Sequence, residues 1–264
     1  DSIETVQKKY NLISNKNQFE ELKKTINNSD IVSFDLETTD INPLNADIVG
    51  ISFSFSNNGA HYIPILFPGE IKDYNLDKEV VISDLKAIWE DSKNSFIGQN
   101  IKYDCLVLSR LDIKVKNIVF DTMLAAHLIN PARARYSLDD LSIEYLNYQK
   151  IDIESLIGYK GNQVNMSEVD VEKVKDYACE DAETVFQLYQ KLKDELEAKE
   201  LLDLFNNIEI PFIHILIDIE KNGLFVDLDI LSSLSSKIEK KISLILLDIY
   251  EISGKEFNVN SPQQ

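Results

Sequence analysis

The chain has 264 residues, and its 45 acidic side chains against 27 basic ones give a formal charge of −18. Its 44% hydrophobic content is ordinary for a soluble protein and enough for a sizeable core. No apolar run approaches the ~18 residues that a bilayer span requires, and Cys105 and Cys179 are too few for a disulfide framework. Both cysteines are expected to be small buried hydrophobes. Residues 1–5 (DSIET) lack the basic-then-apolar pattern of a secretory signal, and a reducing, cytoplasmic setting fits.

In chain order, Tyr10–Ser14 reads as a first strand, followed by a short helix over Gln18–Ile26 with Phe19, Leu22 and Ile26 on one face. A polar turn, Asn27–Asp30, leads into a second strand, Ile31–Glu37. Asp47–Phe55 and Ala60–Ile65 read as a hairpin across the Asn57-Asn58-Gly59 turn, with Pro64 marking the end of its second strand. Next come an amphipathic helix at Lys78–Asp91, a short strand at Ser95–Gly98, and helices at Lys102–Leu111 and Thr122–Asn130, the last capped by Asp121. After the basic loop of Arg133 and Arg135, a helix is expected near Leu138–Leu146 and a loop at Gly158–Asn165. Ser167–Lys199 reads as one long helix, with Val171, Val174, Ala178, Val185, Leu188 and Leu192 near helical spacing. Leu201–Asn222 is helical with a kink expected at Pro211. Gly223 ends it, and Asp227 caps a last helix that reaches Ser253 and Gly254. Strands first and helices later point to an α/β layered fold.

Asp-x-Glu spacing is common here, at Asp77, Asp152, Asp170, Asp181 and Asp218 as well as at Asp35. Only the Asp35 copy follows an apolar, β-prone run. Residues i and i+2 of a strand share a face, so Asp35 and Glu37 point the same way. Burying both at a strand end would cost several kcal/mol, roughly, without a cation or hydrogen bonds. Hard divalent cations take such oxygen ligands. Asp104, four residues after Asn100, and Asp181, four after Tyr177, sit on expected helices and would complete a two-metal centre.

FDLET at 34–38, VGISF at 49–53, GQNIKYD at 98–104, FDTML at 120–124 and YACED at 177–181 together resemble the motifs of DEDD-type 3′–5′ exonucleases. The variant is the one whose third motif carries Tyr. The nearest likeness is to the proofreading exonuclease domain of bacterial-type DNA polymerase I, a family A polymerase. Residues 207–211 (NIEIP) and 220–223 (EKNG) resemble the entry into that family's polymerase part.

The resemblance implies a ribonuclease H-like mixed sheet flanked by helices over residues 1–200, then helices of the polymerase thumb over 201–264. Asp35 would bridge two divalent cations, Mg²⁺ with Mn²⁺ able to substitute. Glu37 and Asp181 would complete the first site and Asp104 would hold the second. Tyr177 would orient the attacking water, since a phenol of pKa ~10 is a poor base at neutral pH. Among DNA contacts, Asn100 would bond a nucleotide or orient Asp104, with helix capping as the alternative. Lys102 would meet phosphate or balance local acid, Arg135 would meet the phosphate backbone or stay solvated, and Ile41 would pack on the terminal base. His61, His127 and His214 show no ligand spacing.

The implied partner is the 3′ end of single-stranded DNA or a frayed primer terminus, with a polymerase domain in cis, a monomeric state and no membrane. The implied setting is the bacterial nucleoid or a DNA-containing organelle. The rival expectations are a catalytically silent domain that braces a polymerase, and an RNA-trimming exonuclease of the ribonuclease D kind. The charge of −18 implies weak, distributive DNA binding by the isolated chain.

Overall fold

A computed structural model describes residues 8–57, 59–159 and 161–261. Asn58 of the expected hairpin turn lies outside the described residues. The sheet is built from β1 (Lys9–Leu12), β2 (Val32–Thr38), β3 (Ile48–Ser56), β4 (Gly59–Pro64), β5 (Phe96–Gly98) and β6 (Ile118–Asp121), in the order β1-β4-β3-β2-β5-β6. β3 runs antiparallel to both of its neighbours, β2 and β4, while β5 and β6 run parallel to β2, and β1 runs parallel to β4. This is the mixed, helix-flanked sheet expected of a ribonuclease H-like fold.

The helices follow local signals. α1 (Lys16–Asn27) starts where the Asn15 side chain accepts from Gln18 N–H at 3.1 Å, and it buries Phe19, Leu22 and Ile26. α2 (Lys78–Trp89) is capped by Asp77 and buries Val81, Leu85, Ile88 and Trp89. On that side of the sheet Phe34 packs its ring 5.6 Å from both Trp89 and Phe96. Alternation along β2 therefore sends Phe34 and Leu36 into this core and turns Asp35 and Glu37 to the other face.

α3 (Ile101–Ser109) and α4 (Thr122–Ile129) share one carboxylate. Asp121 Oδ2 accepts from Ile101 N–H at 2.8 Å while its Oδ1 accepts from Leu124 N–H at 3.0 Å. The expected cap of α4 thus also caps α3. Asp121→Ala strips both N–H groups of their acceptor in a buried setting. It should cost about 2–6 kcal/mol, at 1–3 kcal/mol for each donor left unsatisfied. A urea midpoint that barely moves would contradict the double cap.

The expected helix at 138–146 divides into α5 (Leu138–Leu141) and a wide π turn, Ser142–Leu146. A short α6 (Ile153–Ile157) follows, not expected from the sequence although Asp152 caps it through Glu154 N–H at 3.1 Å. The strand β6 is likewise unannounced. α7 (Val171–Ala198) begins after a separate 3₁₀ turn at Met166–Glu168, capped by Asp170. Its residues Ala178, Cys179 and Ala182 are fully buried and small, so its backbone lies close on the sheet. Cys105 and Cys179 are both free and buried, as expected.

α8 (Leu202–Leu204) leads through a π turn, Phe205–Glu209, into α9 (Ile210–Asn222). Pro211 has no N–H for the Asn207 carbonyl, which accounts for a widened turn just before it. The chain forms two compact units that meet between Lys221 and Asn222 in sequence. The division falls past residue 200 because Phe205, Ile210, Ile213 and Ile217 are buried in the main core. The second unit contains α10 (Leu228–Ser253), capped by Asp227 through Asp229 N–H and Ile230 N–H and ended by Gly254 at φ 69°. Among the described residues no helix is long and apolar enough to cross a membrane.

Candidate metal centre

Asp35 and Glu37 on β2 meet Asp181 from the middle of α7. One oxygen from each lies within 4.8 Å of the other two. Glu37 and Asp181 are buried and Asp35 is partly buried. Beside Glu37 in the β2–β3 register stands Gly50, where a Cβ would fall 2.0 Å from the Tyr62 hydroxyl oxygen. Glycine here leaves room for the Tyr62 ring over the strand. Asp104, in the first turn of α3, is buried within electrostatic reach of Asp35 and Glu37, and its Oδ1 accepts from Leu36 N–H at 3.0 Å. It stands outside the set of three oxygens but fixes the backbone between Asp35 and Glu37.

Lys150 reaches into the same group. Its ammonium pairs with Asp181 Oδ1, lies 3.3 Å from Asp139 Oδ1 and stands 5.1 Å from the centre of the Tyr177 ring. Burial lifts the Asp35 carboxyl to about 7, with the Asp181 charge pushing the same way and Lys150 opposing. Glu37 is held well above the carboxylate range by burial first, then by Asp35 and Asp181. Burial also raises Asp104 and Asp181; Lys150 and the Tyr177 hydrogen bond partly offset it at Asp181. The Tyr177 phenol is pushed well above its usual value by burial and by the Asp181 and Glu37 charges, so it stays protonated at neutral pH.

The donor set suits a hard divalent cation: oxygens only, convergent, and short of positive charge. Residues 10–197 match the family model described as 3′–5′ exonuclease. The chain belongs to the 3′–5′ exonuclease family. It is 31% identical to DNA polymerase I of Pseudomonas aeruginosa over 97% of its length and 32% identical to that of Borreliella burgdorferi over 100%. It spans only 28% of the length of either relative. In fold it is similar to the POL domain of Pol1 from M. smegmatis in complex with DNA primer-template and dNTP. That likeness has a TM-score of 0.74 at 20% identity, covering 96% of this chain and 39% of that one. It is also similar to Brucella melitensis NrnC with bound Mg²⁺, with a TM-score of 0.59 at 18% identity, covering 83% and 95%.

Of the exonuclease-family residues read from sequence, Asp35, Glu37 and Asp181 converge, Tyr177 lies one helical turn from Asp181, and Asp104 accepts from the strand at Leu36 N–H, outside the three-oxygen set. Ile41 is 95% exposed on the rim of a 370 Å³ cleft that also takes in Glu37, Thr38, Tyr103 and Met166. Asn100 is exposed at φ 52° and its side chain makes no capping bond; Asp121 caps that helix instead. Lys102 pairs with Glu220, and Arg135 is exposed on its loop. Two residues at the centre receive no role from the sequence alone. Lys150 carries no spacing signal and only the folded loop brings it there, while the fully buried Glu180 is an unassigned letter of the YACED motif. Tyr103 is no more than a motif letter in the sequence, yet its hydroxyl lies 2.6 Å from Thr38 Oγ1 at the cleft wall.

Proposed function

We propose that this chain removes deoxynucleoside monophosphates from the 3′ end of single-stranded or frayed DNA, as the proofreading part of a DNA polymerase I. The observation that carries the reading is the convergence of Asp35, Glu37 and Asp181 within a family-matched segment. Two divalent cations bound there, Mg²⁺ or Mn²⁺, would supply Lewis acidity at the phosphoryl group and lower the pKa of the attacking water. Asp35, Glu37 and Asp181 would hold the first ion, and Asp104 would help to hold the second. The protonated Tyr177 phenol fixes the attacking water by hydrogen bonding. The cleft beside Glu37 receives the terminal nucleotide, with Ile41 against its base. Asn100, Lys102 and Arg135 contact the strand behind it. A frayed end is favoured because less pairing and stacking has to be broken.

The domain reading keeps residues 1–200 as the exonuclease part and 201–264 as the first helices of a polymerase part, which acts in cis on a monomeric chain. Two facts support it: the family match ends at residue 197, and the chain spans only 28% of the length of its DNA polymerase I relative from Pseudomonas aeruginosa.

The test is a 5′-labelled single-stranded DNA incubated with Mg²⁺ or Mn²⁺, with and without chelator. A ladder shortening from the 3′ end and abolished by chelator is the expected result. No shortening with either ion would favour a catalytically silent bracing domain.

A further inference from the structure

The segment that carries Lys150 is unusually well fixed. Glu180, fully buried on α7, accepts from Tyr148 O–H at 2.6 Å and from Ile151 N–H at 2.5 Å, gripping the loop on both sides of the lysine. Ser142 Oγ donates to the Tyr148 carbonyl at 2.7 Å and ties the same loop to the π turn. The result is a lysine side chain only 2% exposed, aimed at Asp181. Its other partner, Asp139, is 63% exposed and lies toward solvent. The ammonium thus sits between one carboxylate inside the centre and one at its edge.

Asp181 Oδ1 cannot serve an ammonium and a divalent ion equally well. A buried lysine paired with it neutralises part of the repulsion among the acids when no ion is present, and must yield ground when one arrives. We infer that Lys150 is an internal counter-ion that competes with the divalent cation for Asp181 and retreats to Asp139 when the centre is loaded. The inference rests on the ion-binding reading above. Its consequence is that the centre binds its ion less tightly than the acids alone would. Occupancy then follows the surrounding ion concentration, and the metal-free fold stays intact.

The test compares Mn²⁺ binding, read by electron paramagnetic resonance of free Mn²⁺, in the parent chain and in Lys150→Met. Circular dichroism confirms folding. The neutral variant is expected to bind about tenfold more tightly, the size of effect that removing one close charge pair produces. A merely structural lysine predicts the opposite, since loosening the loop would weaken binding. Unchanged or weaker binding in the folded variant overturns the inference and leaves the ion site standing. No Mn²⁺ binding by either protein overturns both.

Should Lys150→Met fail to fold, the parent chain decides. Lysine-directed acylation followed by mass spectrometry should label Lys150 faster with saturating Mg²⁺ than with chelator. Equal labelling of Lys150 while Mg²⁺ binds would overturn the exchange.

Discussion

Asp35→Ala should lower the rate of 3′-nucleotide release at least about 10³-fold, since metal-ion catalysis supplies several kcal/mol at 1.36 kcal/mol per decade. The same change should leave the metal-free protein as stable as before or more so. Asp35 shares its pocket with Glu37 and Asp181, and removing it takes one charge out of a repelling group. Loss of activity with an unchanged or raised melting midpoint separates an acid kept for chemistry from one kept for packing. Product formation measured on labelled single-stranded DNA, within tenfold of the parent, would show that the centre lies elsewhere.

The metal-free protein should lose stability as pH rises from about 4 to about 7, and bound Mg²⁺ or Mn²⁺ should remove that slope. The unfolded chain releases the Asp35 proton near the ordinary carboxylate value of ~4, whereas the folded chain keeps it up to about 7. Between those values the folded state holds more protons, so raising the pH favours unfolding. Below the window both states are protonated and the penalty is absent; above it the penalty is complete. Glu37, Asp104 and Asp181 are raised in the same direction. Allowing for screening at the partly exposed Asp35, the total is on the order of a few kcal/mol, or about 5–10 °C of melting midpoint.

The readout is a melting series in chelator from about pH 5 to about pH 8, repeated with saturating Mn²⁺. General repulsion in a chain of charge −18 adds to the slope. Asp35→Asn combined with Glu37→Gln isolates the part due to the centre. A slope that persists in that variant would trace the effect to the surface. Ion affinity should rise over the same pH range, because the ligands must be deprotonated to bind.

Much of the scaffold was legible because its signals are local. β2 announced itself by a polar turn before an apolar run, and the caps Asp121 and Asp227 stand one residue before their helices. β6 was not legible, since Ile118, Val119 and Phe120 form a continuous apolar run without the alternation that marks a half-buried strand. The helical face of Phe205, Ile210, Ile213 and Ile217 says that something covers it, but not that the main core does. Convergence of Asp35, Glu37 and Asp181 could be expected from strand geometry and motif order. Lys150 could not. Its role depends on a loop that Glu180 fastens from a helix thirty residues on, and one lysine among 27 basic residues carries no mark.

Acidity and inaccessibility together do not identify a ligand in this molecule. Asp121 and Glu180 are as deeply enclosed as Glu37, yet their oxygens are already occupied by Ile101 N–H and Leu124 N–H, and by Tyr148 O–H and Ile151 N–H. An engineer transplanting this centre to another scaffold would have to carry both sets. One set turns its oxygens toward one another, and the other spends its lone pairs on the helix starts and the loop that frame them.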